Sequence, residues 1–329
     1  MNNLVSEKNH PRANPDAPAW HEPVLCGEVT ALLRPGPGMV FLDGTLGGGG
    51  HSAALLAAGA RVVAVDRDPA SLAHASARLA EYGDRFRAVA GNFAEAAALP
   101  EVRAAAPFDG ALLDLGVSSH QLDTAARGFS FRHDGPLDMR MDPSSGEPAS
   151  LLVNTAPEAE LAGLFREYGE EPQARRVARA IVAERERVSF TRTGQLAALL
   201  EKVLGHRGRI HPATRVFQAL RIAVNDELGA LRRALVTIPP LLRAGARFVI
   251  ITFHSLEDRL VKTFFRAGSE QWLDRPEWPA PRPNPDWRFR DLTRKPLAAD
   301  ARETNRNPRA RSARLRAVEI LPFGREVAA

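Results

Sequence analysis

Twelve residues constrain this chain more than any others: Val40-Phe41-Leu42-Asp43-Gly44-Thr45-Leu46-Gly47-Gly48-Gly49-Gly50-His51, an apolar run that ends in an acid and then in a loop of glycines. Five glycines fall within the seven residues from Gly44 to Gly50. Glycine has no Cβ, so it takes positive φ and lets backbone N–H groups come against a molecule that a side chain would hold off. The run predicts a strand that delivers its carboxyl end to a ligand. The alanine- and leucine-rich stretch from Ser52 to Ala60 predicts a helix, and Arg61-Val62-Val63-Ala64-Val65-Asp66 predicts a second buried strand ending in an acid. Together they form a βαβ unit. An acid about 20 positions beyond such a loop stands where ribose hydroxyls need an acceptor, and Asp66 fills that place. A glycine cluster alone also makes plain tight turns. Loop, second strand and Asp66 together favour a nucleoside cofactor, with a dinucleotide and S-adenosylmethionine both open.

The alternation of strand and helix continues downstream. Residues 69–82 carry a helical pattern, residues 85–90 read as a third strand before Gly91-Asn92-Phe93, and residues 108–115 as a fourth. That fourth strand runs into Asp114-Leu115-Gly116-Val117-Ser118-Ser119-His120-Gln121. Ligands of open parallel sheets sit beyond the carboxyl ends of the strands, which brings Asn92, Phe93 and Asp114 within reach of a cofactor. Core packing accounts equally well for Phe93. Residues 247–253 are too apolar for anything but a central strand, so His254 and Ser255 emerge at its carboxyl end. Ser255-Leu256-Glu257-Asp258 matches a capping box for a helix running to about Phe265. Upstream, a short helix over residues 27–33 is stopped by Arg34-Pro35-Gly36-Pro37-Gly38.

Between Arg127 and Asp226 strands are absent. Helical patterns occupy residues 157–168, 171–187, 193–204 and 212–228. Around 100 strandless residues inside an α/β chain imply an inserted helical domain. The expected division is a disordered lead over 1–20, a discontinuous α/β domain over 21–126 and 227–329, and the insert over 127–226.

The formal charge is +5, which permits a polyanionic partner. Arginine outnumbers lysine 40 to 4, a bias that a GC-rich genome produces by itself, so placement says more than the total. Arg175, Arg176, Arg179, Arg185 and Arg187 crowd one predicted helix, and His211, Arg215 and Arg221 another. A solvated, salt-bridged face is the default for these, with Glu170, Glu171, Glu184 and Glu186 as partners. From Arg275 to Arg316, twelve basic residues face five acidic ones, interleaved with Trp278, Trp287 and Phe289. Proline-rich and without period, this stretch reads as a long loop or arm able to follow a phosphate backbone and stack on bases. It ends in Val318-Glu319-Ile320, an expected edge strand.

No apolar run approaches the ~18 residues of a membrane span, and the first 20 residues lack a secretory apolar core, so a cytosolic protein is expected. The single cysteine, Cys26, rules out an internal disulfide framework and a thiolate metal cluster, and reads as a small buried apolar residue.

Several strings resemble the bacterial small-subunit rRNA cytosine-N4 methyltransferases (RsmH, formerly MraW). They are Asp43-Gly44-Thr45 with Gly47 to His51, Leu113 to Ser119 with Gln121-Leu122-Asp123, Arg127-Gly128-Phe129-Ser130-Phe131, Pro136 to Pro143, and Tyr168-Gly169-Glu170-Glu171. His211-Pro212-Ala213-Thr214-Arg215, Phe217 to Ile222, Phe253 to Arg259 and Asn307 to Ser312 follow in the family's order. Only the first 20 residues and the stretch from about Gly268 to Asp300 lie outside the resemblance. It implies an α/β fold, a Rossmann-like class I S-adenosylmethionine-dependent methyltransferase with an inserted all-helical domain. It also implies methylation of a cytidine in the decoding region of 16S rRNA. The family's cofactor positions fall on Gly49, Gly50, His51, Asp66, Phe93, Asp114 and Gln121. His120 stands where the family's pattern has proline, a departure that touches local loop shape.

The chemistry agrees with such a reaction. The exocyclic N4 of cytosine is a poor nucleophile because its lone pair is conjugated with the ring. A carboxylate and backbone carbonyls accepting the amine hydrogens localise that pair and aim it at a sulfonium methyl. Asp114 is placed for this, with Ser118, Ser119 and His254 shaping the base pocket and His254 a candidate for the product proton. A loop-capping acid is the plainer reading of Asp114. Methylation at C5 needs a cysteine adduct, and Cys26 lies upstream of the cofactor loop, so N4 is favoured. No metal-ligand spacing occurs and none is required for an SN2 transfer. The target base must be single-stranded or flipped out, and the insert and basic arm, through Arg215, Arg309 and Arg311, are candidates for gripping flanking RNA, probed within the small ribosomal subunit. The rivals are a nicotinamide-dependent oxidoreductase, a catalytically silent RNA-binding ribosome-assembly factor, and a methyltransferase acting on DNA amino groups or on protein.

Overall fold

The computed structural model describes residues 23–205 and 211–322, so the expected lead over 1–20 lies outside the described residues. Helix α1 (Cys26–Leu33) precedes β1 (Val40–Asp43), α2 (Gly50–Ala57), β2 (Arg61–Asp66), α3 (Pro69–Arg78) and β3 (Phe86–Ala90). Then come α4 (Pro100–Ala105), β4 (Phe108–Asp114) and the one-turn α5 (Ser119–Asp123). Strands β1, β2 and β4 are short apolar runs because both of their faces are covered, whereas the edge strand β3 buries only Val89.

Next come α6 (Ala149–Thr155), α7 (Glu158–Glu167), α8 (Ala174–Arg185), α9 (Thr193–Leu204) and α10 (Thr214–Asn225). They pack on one another around Leu161, Phe165, Ile181, Leu196, Leu200 and Leu220, an apolar cluster that runs from Phe129 to Leu220. The chain returns through α11 (Glu227–Thr237) to β5 (Leu242–Thr252) and α12 (Ser255–Ser269), then β6 (Trp272–Leu273), β7 (Arg282–Pro283), β8 (Phe289–Asp291), α13 (Ala301–Arg306) and β9 (Arg314–Ile320).

The main sheet has the order β3-β2-β1-β4-β5-β9-β8, with the first five strands parallel, β9 antiparallel to β5, and β8 antiparallel to β9. Chain order reverses between β1 and β4, and such a switch point opens a crevice beyond the strand ends. Side chains alternate along β5, so Phe248 and Ile250 meet Leu231, Val261 and Phe265 on one face. Val249 and Ile251 meet Val29, Leu33 and Leu55 on the other. The backbone N–H of Leu25 donates to Glu303 Oε1 at 2.7 Å, joining residues 278 positions apart.

Four expectations are corrected. The helix expected over 212–228 is two, because Asp226 turns left-handed (φ 47°, ψ 41°) between α10 and α11. The turn is held by Asn225, whose Nδ2 donates to Met139 O at 2.7 Å and whose carbonyl accepts from Arg67 Nη1 at 3.0 Å. Val318 to Ile320 belong to an interior strand, since β8 covers β9 on its outer side. The expected arm over 275–316 is largely built into short elements, with Asp300 capping α13 through a 2.7 Å bond from Glu303 N and Leu297 bridging Leu315. Finally, the helix over 69–82 ends at Arg78 and passes into a 3₁₀ stretch, Ala80–Arg85.

Candidate active site

A cavity of about 280 Å³ opens beyond the carboxyl ends of β1, β2, β4 and β5. The glycine loop forms its floor. Gly47 and Gly49 take φ of 50° and 74°, conformations a side chain would strain, and a Cβ on Gly44 would overlap Leu113. Beneath the loop, buried Asp43 accepts from Ser52 Oγ at 2.7 Å and from Thr45 N at 3.1 Å. It braces the turn from inside.

Asp66, at the end of β2, lines the cavity and accepts from Gly47 N at 2.8 Å and Asp68 N at 2.9 Å. Burial pushes its carboxyl up to about 6, against those two bonds. Phe93 does both things expected of it, lining the cavity while packing on the apolar cluster behind. Gln121 also lines the cavity, but its amide is spent within the protein: Nε2 donates to Asp68 Oδ2 at 2.7 Å and Oε1 accepts from Ser118 N at 2.9 Å. Ser118, expected in the base pocket, is the N-cap of α5, its hydroxyl accepting from Gln121 N at 3.2 Å. Gly50 and His51 complete the cavity floor; Gly49 lies just behind, against Leu79 and Ala75.

Asp114, at the end of β4, holds its backbone by donating N–H to Thr45 Oγ1 at 2.6 Å. Its Oδ2 lies 3.4 Å from His51 Nε2, and its buried Oδ1 has no hydrogen-bond partner within the protein. Burial works against a charged His51, but Asp114, the Cys26 thiol and the Asp43 carboxylate outweigh it and push the imidazole up to about 10. The raised value favours the charged imidazole on the side that faces Asp114. Cys26 is corrected by this contact: it is only partly buried and stands behind His51, not in the apolar core.

The opposite wall was not foreseen. It contains Met141, Arg221, Glu227, Phe253 and Glu257. Arg221 forks onto Glu227, Nε to Oε1 and Nη2 to Oε2, both at 2.8 Å. This corrects the placing of Arg221 on a solvated face. The solvated reading does describe Arg179 and Arg187, exposed beside Glu158 and Glu184. Arg185 instead turns inward, donating to Val153 O and Ala156 O at 2.9 and 2.7 Å.

His254, expected in the base pocket, is not among the cavity's lining residues. It is the N-cap of α12, with Glu257 Oε2 accepting from Phe253 N at 2.8 Å and His254 N at 3.3 Å. The capping box therefore begins one residue before Ser255, whose hydroxyl donates instead to Glu170 Oε2 at 2.6 Å. Arg259 also reaches Glu170, so the helical insert is tied to α12 at two points. Donor atoms of Glu227, His254 and Glu257 lie within 4.8 Å of one another. Both Glu227 oxygens are engaged by Arg221 and one Glu257 oxygen by the cap, which makes the group an internal ion network.

Of the expected RNA contacts, Arg309 lines the cavity mouth and donates to Asp123 Oδ1 at 2.7 Å. Arg311 is exposed on the same 3₁₀ turn, Pro308–Ser312. Arg215 is half-exposed on α10, 4.0 Å from Glu171 Oε2.

Residues 18–321 match the model of the MraW methylase family. The chain is 54% identical over 304 residues to the ribosomal RNA small subunit methyltransferase H of Anaeromyxobacter dehalogenans, covering 92% of this chain and 98% of that protein. Against the protein of that name from Thermomicrobium roseum it is 53% identical over 303 residues, 91% of this chain and 93% of the other. The Heliobacterium modesticaldum protein is 48% identical over 306 residues, 91% and 98%. With a match across nearly the whole chain, over an α/β sheet whose switch point carries the glycine loop and two acids, this chain belongs to the MraW methylase family.

Proposed function

We propose that the protein transfers the methyl group of S-adenosylmethionine to the exocyclic N4 of a cytidine in the decoding region of 16S rRNA. The relatives' activity on small-subunit ribosomal RNA supports the substrate class. The observation that carries the chemistry is Asp114: one oxygen faces the His51 imidazolium, and the other is buried and unpartnered at the cavity. A carboxyl group held in that way has an acceptor to spare.

The residues present fit the cofactor. Asp66 offers a carboxylate at the end of β2 for ribose hydroxyls, and Phe93 an aromatic face for the adenine. Gly44, Gly47 and Gly50 leave the floor without side chains, and Gly49 sets the turn. Bound there, S-adenosylmethionine supplies an electrophilic methyl on a sulfonium. Everything else falls to the chain. Asp114 Oδ1 accepts an N4 hydrogen, localises the nitrogen lone pair and holds it in line. As the new N–C bond forms and the sulfonium S–C bond breaks, leaving a neutral thioether, the amine gains positive charge, and Asp114 stabilises it until the proton passes to solvent. Cys26 is not among the residues that line the cavity, which leaves the ring carbon C5 without a nucleophile there.

Arg215, Arg309 and Arg311 serve the flanking RNA, with the helical insert over 127–226 as the lobe that closes against it. The substrate is met in the cytosol, within the small ribosomal subunit. Family membership removes the nicotinamide reading, and the built geometry of Asp43, Asp66 and Asp114 favours an active enzyme over a silent assembly factor. No helix among the described residues is long and apolar enough to cross a membrane. Mass spectrometry of 16S rRNA from cells with and without the gene tests the function. N4-methylcytidine at one decoding-region position should vanish on deletion and return on complementation. An unchanged methylation pattern overturns the proposal.

A further inference from the structure

The cavity wall opposite the glycine loop holds an ion pair that the methyl-transfer chemistry leaves unused. Glu227 and Arg221 are nearly out of water, with side-chain exposures of 7% and 16%. Taking two charges out of water costs more than packing two hydrocarbon side chains in their place, so stability alone does not account for the pair. Geometry offers another account. A guanidinium carries five N–H donors on three nitrogens. Glu227 takes one from Nε and one from Nη2. The far edge, Nη1 and the second Nη2 hydrogen, is left with two parallel donors on a rigidly clamped plane.

Cytosine requires that complement. Its Watson–Crick edge offers the N4 amine as donor, then N3 and O2 as adjacent acceptors. With Asp114 accepting from N4, the remaining edge needs two donors side by side. The other two cavity arginines are engaged elsewhere: Arg67 donates through Nη1 to Asn225 O and through Nη2 to Met141 Sδ, and Arg309 donates to Asp123 Oδ1. We propose that Arg221, clamped by Glu227, donates to N3 and O2 of the target cytosine and fixes which base enters. The inference rests on the reading of this cavity as the site of N4 methylation. Uracil, with a hydrogen on N3, opposes a donor to a donor, and a buried mismatch of that kind is strongly rejected.

The test isolates N3. Two 16S rRNA fragments are compared, one with cytidine at the target position and one with 3-deazacytidine, which keeps N4 and O2 but has C–H in place of N3. Binding is measured with S-adenosylhomocysteine present, so no reaction intervenes. Wild-type protein should favour cytidine by about tenfold or more. Arg221→Met alone leaves Glu227 buried and unpaired, so the variant used is Arg221→Met with Glu227→Gln. It should bring the ratio to about one while its melting temperature and S-adenosylhomocysteine affinity, read by calorimetry, stay near wild type. A wild-type protein indifferent to the substitution, or a folded double variant that keeps the wild-type ratio, overturns the inference. Failure of the underlying reading shows separately, as wild-type protein that forms no N4-methylcytidine in the unmodified fragment.

Discussion

His51 Nε2 stands 3.4 Å from Asp114 Oδ2, with the two side chains 7% and 13% exposed. The last residue of the glycine loop is thereby joined to the last residue of β4, and Asp114 favours the charged form of His51. A histidine whose pKa is raised on folding, here to about 10, adds stability that is complete below the unfolded value of about 6.5. That stability fades as pH rises through the folded value. His51→Gln should therefore cost most near pH 6, and its melting temperature should converge on wild type as pH approaches 10. A calorimetric series across that range measures it, and a gap that widens with pH contradicts the ion pair.

Asp66 titrates in the opposite sense for the cofactor. Burial raises its carboxyl to about 6, so lowering pH through that value protonates the proposed ribose acceptor. S-adenosylmethionine affinity should fall as pH drops from 7 to 5. Asp66→Asn should bind more weakly, by about tenfold, and lose the pH dependence over that interval. Isothermal titration at several pH values reads both effects.

Asp114→Asn keeps shape but offers an amide where a carboxylate is needed. Methyl transfer to rRNA should fall by about a hundredfold or more in kcat, the scale seen when one preorganised electrostatic contact is removed. Cofactor affinity should change far less. Radiolabelled methyl incorporation beside calorimetry separates the two, and full activity in the variant removes Asp114 from the chemistry.

Arg309→Gln with Arg311→Gln removes two charges from the 3₁₀ turn at the cavity mouth. RNA binding should weaken, and the slope of log affinity against log salt should flatten by roughly one for each lost phosphate contact. Filter binding between low and moderate salt gives the slope. No change in it takes this turn out of the RNA interface.

The βαβ core was legible because its signals are local. Five glycines between two apolar runs, each ending in an acid, name strand, loop and strand without any long-range contact. The opposite wall was not, because it is assembled across the chain. Arg221 meets Glu227 only through the left-handed turn at Asp226, and Glu257 joins them only through the cap of α12. An unbroken amphipathic pattern over 212–228 concealed that turn, since both helices bury a face.

Ser255 was given the cap that belongs to His254, because serine is the commoner capping residue and the sequence spacing allowed either. The elements between Trp272 and Ser312 run two to six residues, too short for any period to register. Ser118 and Gln121 were rightly brought to the cavity. That their polar atoms would be consumed by a cap and by Asp68 was beyond sequence spacing to reveal.

The bond from Leu25 N to Glu303 Oε1 carries a consequence for biosynthesis. The glycine loop and both acids leave the ribosome early, yet the wall bearing Arg309 and the strand that buries β5 are translated last. A nascent chain thus holds half a pocket until Glu303, Arg309 and β9 have been made, and competence arrives only when that segment has docked against α1.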